Sequence, residues 1–205
     1  RELTGMALCW FHPVRGDGDR QNRRLFICLT AASVATVFIG FLAYDLVAEN
    51  LRDLRVIAWA TLGFGALLWI ADSVAGDDRK IEAIDIKGAL LIGLAQACAL
   101  IPGASRSGVT ITAGRLLGLS PDAAARFSFL LSVPVIAAAG AYGLYRTVSG
   151  QAQIAWPEFL LATAFSALAG WLCIAAFLAL LERVGLLPFV LYRLALGLAL
   201  LWIAF

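Results

Sequence analysis

The chain has 205 residues, 61% of them hydrophobic and only 15% charged, with 16 Lys and Arg against 14 Asp and Glu. A mean hydropathy of +0.87 excludes an ordinary water-soluble globule, in which about a quarter of residues carry charge. A net charge of +2 is too small to point to nucleic acid as a partner, so the expected solvent and partner is the lipid bilayer.

In chain order, residues 1–24 read as a polar loop holding Arg15, Arg20, Arg23, Arg24 and the one histidine, His12, after a short apolar piece at residues 6–11. Residues 25–44 are uncharged and long enough to cross, since about 20 apolar residues span the hydrocarbon core. Residues 45–55 read as a charged turn. Residues 56–75 form a second span, with Trp59 and Trp69 as interfacial anchors and Asp72 in the last turn. Residues 76–82 are the densest charge cluster and a loop.

Two short apolar pieces follow, residues 88–100 and 107–119, separated by Pro102-Gly103. Neither is long enough to cross. Such a pair meeting at a polar break is the pattern of a re-entrant hairpin, expected over residues 88–119. Ser120-Pro121-Asp122 then opens a new helix, with serine as N-cap, proline at the first position and aspartate favoured by the dipole. It is expected to reach residue 145 with a kink at Pro134. Residues 159–181, rich in Ala and Gly, and residues 184–205 are the last two spans. The fold class is therefore all-α: a polytopic bundle with a discontinuous helical hairpin, forming one integral membrane domain.

Charge placement supports the hairpin. If it enters and leaves on one face, that face collects eleven Lys and Arg residues, among them Arg79, Lys80, Lys87, Arg115, Arg126 and Arg183. The opposite face keeps Arg52, Arg55 and Arg146. The positive-inside rule then places the basic face in the cytoplasm and the C-terminus outside.

The chemistry concentrates at the hairpin tip, Pro102-Gly-Ala-Ser-Arg-Ser-Gly-Val-Thr110. Residues 88–104 and 107–114 carry no charge, so Arg106 lies at membrane depth, where a lone cation costs about 2.5–3.5 kcal/mol on insertion scales. Pro102 and Gly103 stop the incoming helix, and Ser105 or Ser107 suits the cap of the next. A helix N-terminus, hydroxyls and a guanidinium make an anion site, and the planar fork of arginine matches a phosphate oxygen pair. Candidate phosphate contacts are Gly103, Ser105, Arg106, Ser107, Thr110 and Gln96, with Ser105 and Arg106 as the catalytic candidates. The alternative is a Pro-Gly kink in which Arg106 pairs with a nearby carboxylate or carbonyl. Gln96 has its own alternative, an interhelical hydrogen bond. Cys9, Cys28, Cys98 and Cys173 have no metal-ligand spacing and read as small buried hydrophobes.

This nine-residue segment resembles the PGxSRSxxT signature of the bacterial undecaprenyl-diphosphate phosphatases, the bacitracin-resistance family. The resemblance continues through Phe127-Ser-Phe-Leu-Leu-Ser-Val-Pro134 and Pro188-Phe-Val-Leu-Tyr-Arg193, and covers nearly the whole chain. It implies a multi-pass enzyme of the bacterial inner membrane that hydrolyses undecaprenyl diphosphate to the monophosphate carrier of cell-wall synthesis and confers resistance to bacitracin. It implies a divalent metal, Mg or Ca, held in the family by paired glutamates of an N-terminal repeat; no such segment occurs in these 205 residues, so no metal ligand is assigned. The sequence, starting at Arg1, is expected to be part of a longer protein and inactive alone. Arg193 matches a family position and reads as a structural residue pairing near the membrane interface, with substrate contact as the alternative. A homodimer is a further expectation of this kind. The competing functions are a polyisoprenyl-phosphate flippase built on similar hairpins, and an inactive lipid-diphosphate-binding remnant.

Overall fold

A computed structural model describes residues 17–50, 53–76, 79–149 and 155–205. The described residues form seven α-helices and no strands: α1 Asp17–Asn50, α2 Leu54–Val74, α3 Ile86–Gln96, α4 Arg106–Leu116, α5 Pro121–Val148, α6 Trp156–Val184 and α7 Leu187–Ala204. Short 3-10 turns at Ile81–Ala83 and Ala97–Leu100 flank α3. Five helices (α1, α2, α5, α6 and α7) are long and apolar enough to cross a membrane; α3 and α4 are not. The chain is an all-α polytopic membrane bundle.

Local signals explain most boundaries. Asp53 caps α2 by accepting from Arg55 N at 2.9 Å, and Asp85 caps α3 by accepting from Gly88 N at 2.9 Å. Ser120 caps α5 through Ala123 N at 3.2 Å, with Pro121 in the first turn, and Pro134 is carried inside that helix. The first span is longer than its apolar run. Its helix begins at Asp17 and continues to Asn50, so the polar loop expected to reach residue 24 and the turn expected from residue 45 are both partly helical. Residues 41–50 contain neither Gly nor Pro, so nothing stops the helix where hydrophobicity ends. His12, Cys9 and the apolar piece at 6–11 lie outside the described residues.

Packing divides the bundle in two. Helix α1 lies along α3, where Thr36 Oγ1 is 2.9 Å from both Ala32 O and Gly93 O. Helix α2 lies along α7, and α4 is held between α2, α3 and α5. The buried core runs through Cys28, Ile92, Ile111, Phe127, Leu131 and Val190. Helix α6 touches the rest mainly through α5, where Phe129 meets Phe177 edge-on at 5.4 Å, and most of its apolar surface is exposed. Exposed apolar surface is what lipid requires of an outer helix. Cys98 and Cys173 share that exposure, so of the described cysteines only Cys28 is buried as expected.

The hairpin of α3 and α4 returns to the end of the bundle from which it leaves. Arg79, just before α3, donates from Nη1 to Leu117 O at 2.7 Å and from Nη2 to Ala83 O at 3.1 Å. Its own carbonyl accepts from Ser120 N at 2.9 Å. At the opposite end the Arg55 guanidinium stacks over the Phe205 ring, 4.6 Å from its centroid. The two ends of the hairpin thus lie together, and the start of α2 lies with the end of α7.

Candidate phosphate site at the hairpin tip

The incoming half tightens before it stops. After α3 the 3-10 turn ends with Ile101 N donating to Cys98 O at 3.1 Å, and Ala104 N closes the next turn onto Ile101 O at 3.1 Å. Gly103 has φ 93, a left-handed conformation that glycine adopts without strain. A Cβ there would strike Ile57 O and Thr61 Oγ1, so the loop lies directly on α2. Thr61 Oγ1 is 2.7 Å from Ile57 O and 3.3 Å from Gly103 O. Thr61 stands about 10 Å from the start of α2 and about 20 Å from its end, which puts the tip inside the depth of the bundle.

Ser105 follows with φ 62 and ψ 116, the one non-glycine among the described residues with positive φ. Such a conformation costs about 1–3 kcal/mol and persists only where its surroundings impose it. It places the serine as N-cap of α4, its Oγ accepting from Gly108 N at 3.3 Å. Because the hydroxyl accepts that bond, its own proton remains available to a ligand oxygen. The first backbone N–H groups of α4 have no acceptor within the helix, and its dipole favours an anion beside them.

Arg106 is half-buried, and among the described residues its guanidinium has no hydrogen-bond or ion-pair partner. The alternative of a kink neutralised by a local carboxylate is therefore not what the described residues form. Ser107 follows, half-buried, in the first turn of the helix. Thr110 is elsewhere: buried, its Oγ1 lies 2.6 Å from Ser128 Oγ on α5 and 3.0 Å from Arg106 O. It braces the first turn of α4 from behind. Gln96, 3% exposed, has no hydrogen-bond partner for either amide atom among the described residues, so the interhelical bond is not made there.

The partners of two arginines in this frame were not legible in the sequence. Arg193, on α7, donates from Nη2 to Gly103 O at 2.8 Å and to Ala104 O at 2.9 Å, holding the signature loop from the side opposite α3. It pairs at the hairpin tip rather than near the membrane interface. Arg115 is 2% exposed and not a solvated loop charge; it bonds Asp72 Oδ1 through Nε at 2.8 Å, and Gly76 O and Leu119 O through Nη1. An acid in the last turn of an apolar span was the available clue to that pair.

The residues described do not fit a divalent-metal site. Among them no three acidic, histidine or cysteine side chains come together. Asp72 is held by Arg115, Asp85 caps α3, and Asp122 pairs with Arg126 at 2.9 Å.

The family model for bacitracin resistance protein BacA matches residues 1–199. The chain belongs to the BacA family. Among its curated relatives, an undecaprenyl-diphosphatase of Alteromonas mediterranea is 43% identical over 205 residues, covering all of this chain and 77% of that protein. One from Chromohalobacter salexigens is 45% identical with the same coverage. Undecaprenyl-diphosphatase 2 of Stutzerimonas stutzeri is 46% identical over 98% of this chain and 76% of its own. The family match runs over residues 1–199 and so includes the hairpin tip, which is not a local coincidence of nine residues.

Proposed function

We propose that the protein is a membrane phosphatase acting on undecaprenyl diphosphate, releasing inorganic phosphate and returning the monophosphate carrier to cell-wall synthesis, the activity that underlies bacitracin resistance. The observation that carries this reading is the unpartnered Arg106 guanidinium at the capped start of α4, deep in an apolar bundle. A half-buried cation without a protein partner at membrane depth suits an anionic ligand, and arginine suits a phosphoryl group.

In this reading the diphosphate enters with its oxygens toward α4. Arg106 grips two of them as a planar fork, while the Ser105 hydroxyl and the first N–H groups of α4 donate to others. Charge builds on the transferring phosphoryl group and its bridging oxygen as the anhydride bond breaks. Donors held at fixed positions stabilise that charge more than the ground state, and each is worth about 10²–10³ in rate. The strained Ser105 backbone and the brace from Thr110 to Ser128 supply that fixity. These residues account for binding and charge stabilisation; no described carboxylate or histidine is hydrogen-bonded to the tip.

The membrane is the bacterial cytoplasmic membrane in this reading, with the Arg79 end of the bundle in the cytoplasm. The shared end of the hairpin's two halves supports a re-entrant segment over residues 88–119. Removing the buried Arg115 from that side's count of Lys and Arg leaves its basic bias intact.

Phosphate release from undecaprenyl diphosphate by the purified full-length protein in detergent tests the proposal. A phosphatase liberates one phosphate per lipid and leaves the monophosphate. A flippase leaves the diphosphate unchanged.

A further inference from the structure

The bundle holds a cleft of about 380 Å³ between α2 and α7, and it opens from the hairpin tip. Its inner end is formed by Gly103, Ser105 and Arg193, and its walls by Ile57, Tyr192, Leu196 and Leu200. Residues 192, 196 and 200 recur every four positions, so they form one stripe along α7, about 12 Å long. Arg193 is 91% buried yet only partly satisfied: its Nη2 is used by two carbonyls, while Nε and Nη1 have no partner among the described residues. A Cβ built on Gly108 would clash with Nη1 and would lie 3.3 Å from Ser105 Oγ, so both groups border the first turn of α4. The free nitrogen therefore faces the N-terminal turn of α4, from the side opposite its connection to α3.

We propose that this cleft seats the first isoprene units of a polyisoprenyl phosphate lipid, with the free nitrogens of Arg193 taking a phosphate oxygen at its inner end. The proposal rests on the phosphatase reading and adds where the tail lies. An apolar groove alone carries no such meaning in a bilayer, because lipid chains fill it equally well and moving a tail from lipid to protein gains little. A half-satisfied guanidinium among its lining residues changes that. A buried charged donor left without an acceptor is costly, and an acyl chain supplies no acceptor, whereas a phosphate head does. The occupant that satisfies both ends has an anionic head and a branched hydrocarbon tail in line. Anchoring the tail along α7 would then aim the bridging oxygen of the diphosphate at Ser105 and Arg106.

The test uses the full-length wild-type protein and a non-hydrolysable polyisoprenyl diphosphate analogue carrying a diazirine on its second isoprene unit. Adducts are mapped by mass spectrometry after irradiation. The cleft assignment predicts labelling of Ile57, Tyr192, Leu196 or Leu200, reduced at least fivefold by excess undecaprenyl diphosphate. Labelling confined to other helices overturns it, as does a cleft shielded by another segment of the chain or a second copy. A Leu196→Trp substitution fills the cleft without touching Arg193 and should raise KM for undecaprenyl diphosphate at least fivefold, with kcat within twofold of wild type. An unchanged KM speaks against the cleft. Wild-type phosphate release with labelling elsewhere removes the cleft and leaves the phosphatase reading standing; absence of release removes the reading itself.

Discussion

Arg115 Nε sits 2.8 Å from Asp72 Oδ1, joining the end of α4 to the end of α2. The same guanidinium reaches Gly76 O at 3.1 Å and Leu119 O at 2.7 Å, so it ties together three chain segments at the base of the hairpin. With Arg79 bound to Leu117 O nearby, two arginines fix where the hairpin leaves and returns. The tip can be precise because the base is held.

Asp72→Ala should therefore loosen the fold rather than the chemistry. Removing one partner of a fully buried pair costs about 3–5 kcal/mol. Asp72 is 26% exposed and Arg115 keeps its carbonyl partners, so about 2–3 kcal/mol is expected. Thermal unfolding of the detergent-solubilised protein should show a clearly lowered midpoint, with residual activity per folded molecule near that of wild type. An unchanged midpoint would show that the pair contributes nothing to holding the hairpin base.

Gly108→Ala probes the other arginine. The new methyl would clash with Arg193 Nη1, the far end of a long side chain, so the guanidinium must shift. A shift of about 1 Å in a group that positions substrate costs about 10²-fold in rate. We expect kcat/KM for undecaprenyl diphosphate to fall by about that factor while the protein stays folded, with an unfolding midpoint lowered by the weakened bonds to Gly103 O and Ala104 O. Activity within twofold of wild type would mean that the position of Arg193 does not matter to the reaction.

The hairpin makes a topological prediction. Lys80→Cys and Ser120→Cys, each in a background without the native cysteines, should both be protected from a membrane-impermeant thiol reagent added outside intact cells. Ser120 is an N-cap, and its loss costs about 1 kcal/mol, which leaves the fold assayable. Reaction of the Ser120→Cys variant but not the Lys80→Cys variant would mean that the segment between them crosses the membrane completely.

The parts of this structure written locally were legible in the sequence. Pro102-Gly103 between two short apolar runs gives the broken hairpin, and Ser120-Pro121-Asp122 gives the start of α5 to the residue. Helix ends without a breaker were not: hydrophobicity falls at residue 45, but the backbone continues helical to Asn50 because nothing there opposes it. At the site, the donors at Ser105 and Arg106 follow from capping preference and intramembrane charge. Thr110 matched the signature equally well, yet it bonds Ser128, because a residue one turn into α4 faces α5. The partners of Arg115 and Arg193 lie 43 and about 90 residues away, separations over which periodicity and capping rules carry no information.

If the Arg106 fork handles the transferring phosphoryl group, Arg106→Lys should disable the reaction without unfolding the protein. Lysine keeps the positive charge but loses the planar pair of donors. The measurement is phosphate released from undecaprenyl diphosphate by the full-length variant, alongside an unfolding curve that establishes its integrity. The account predicts a loss of about 10²–10³ in kcat/KM with wild-type stability. Near-normal release by a well-folded Lys variant would contradict it.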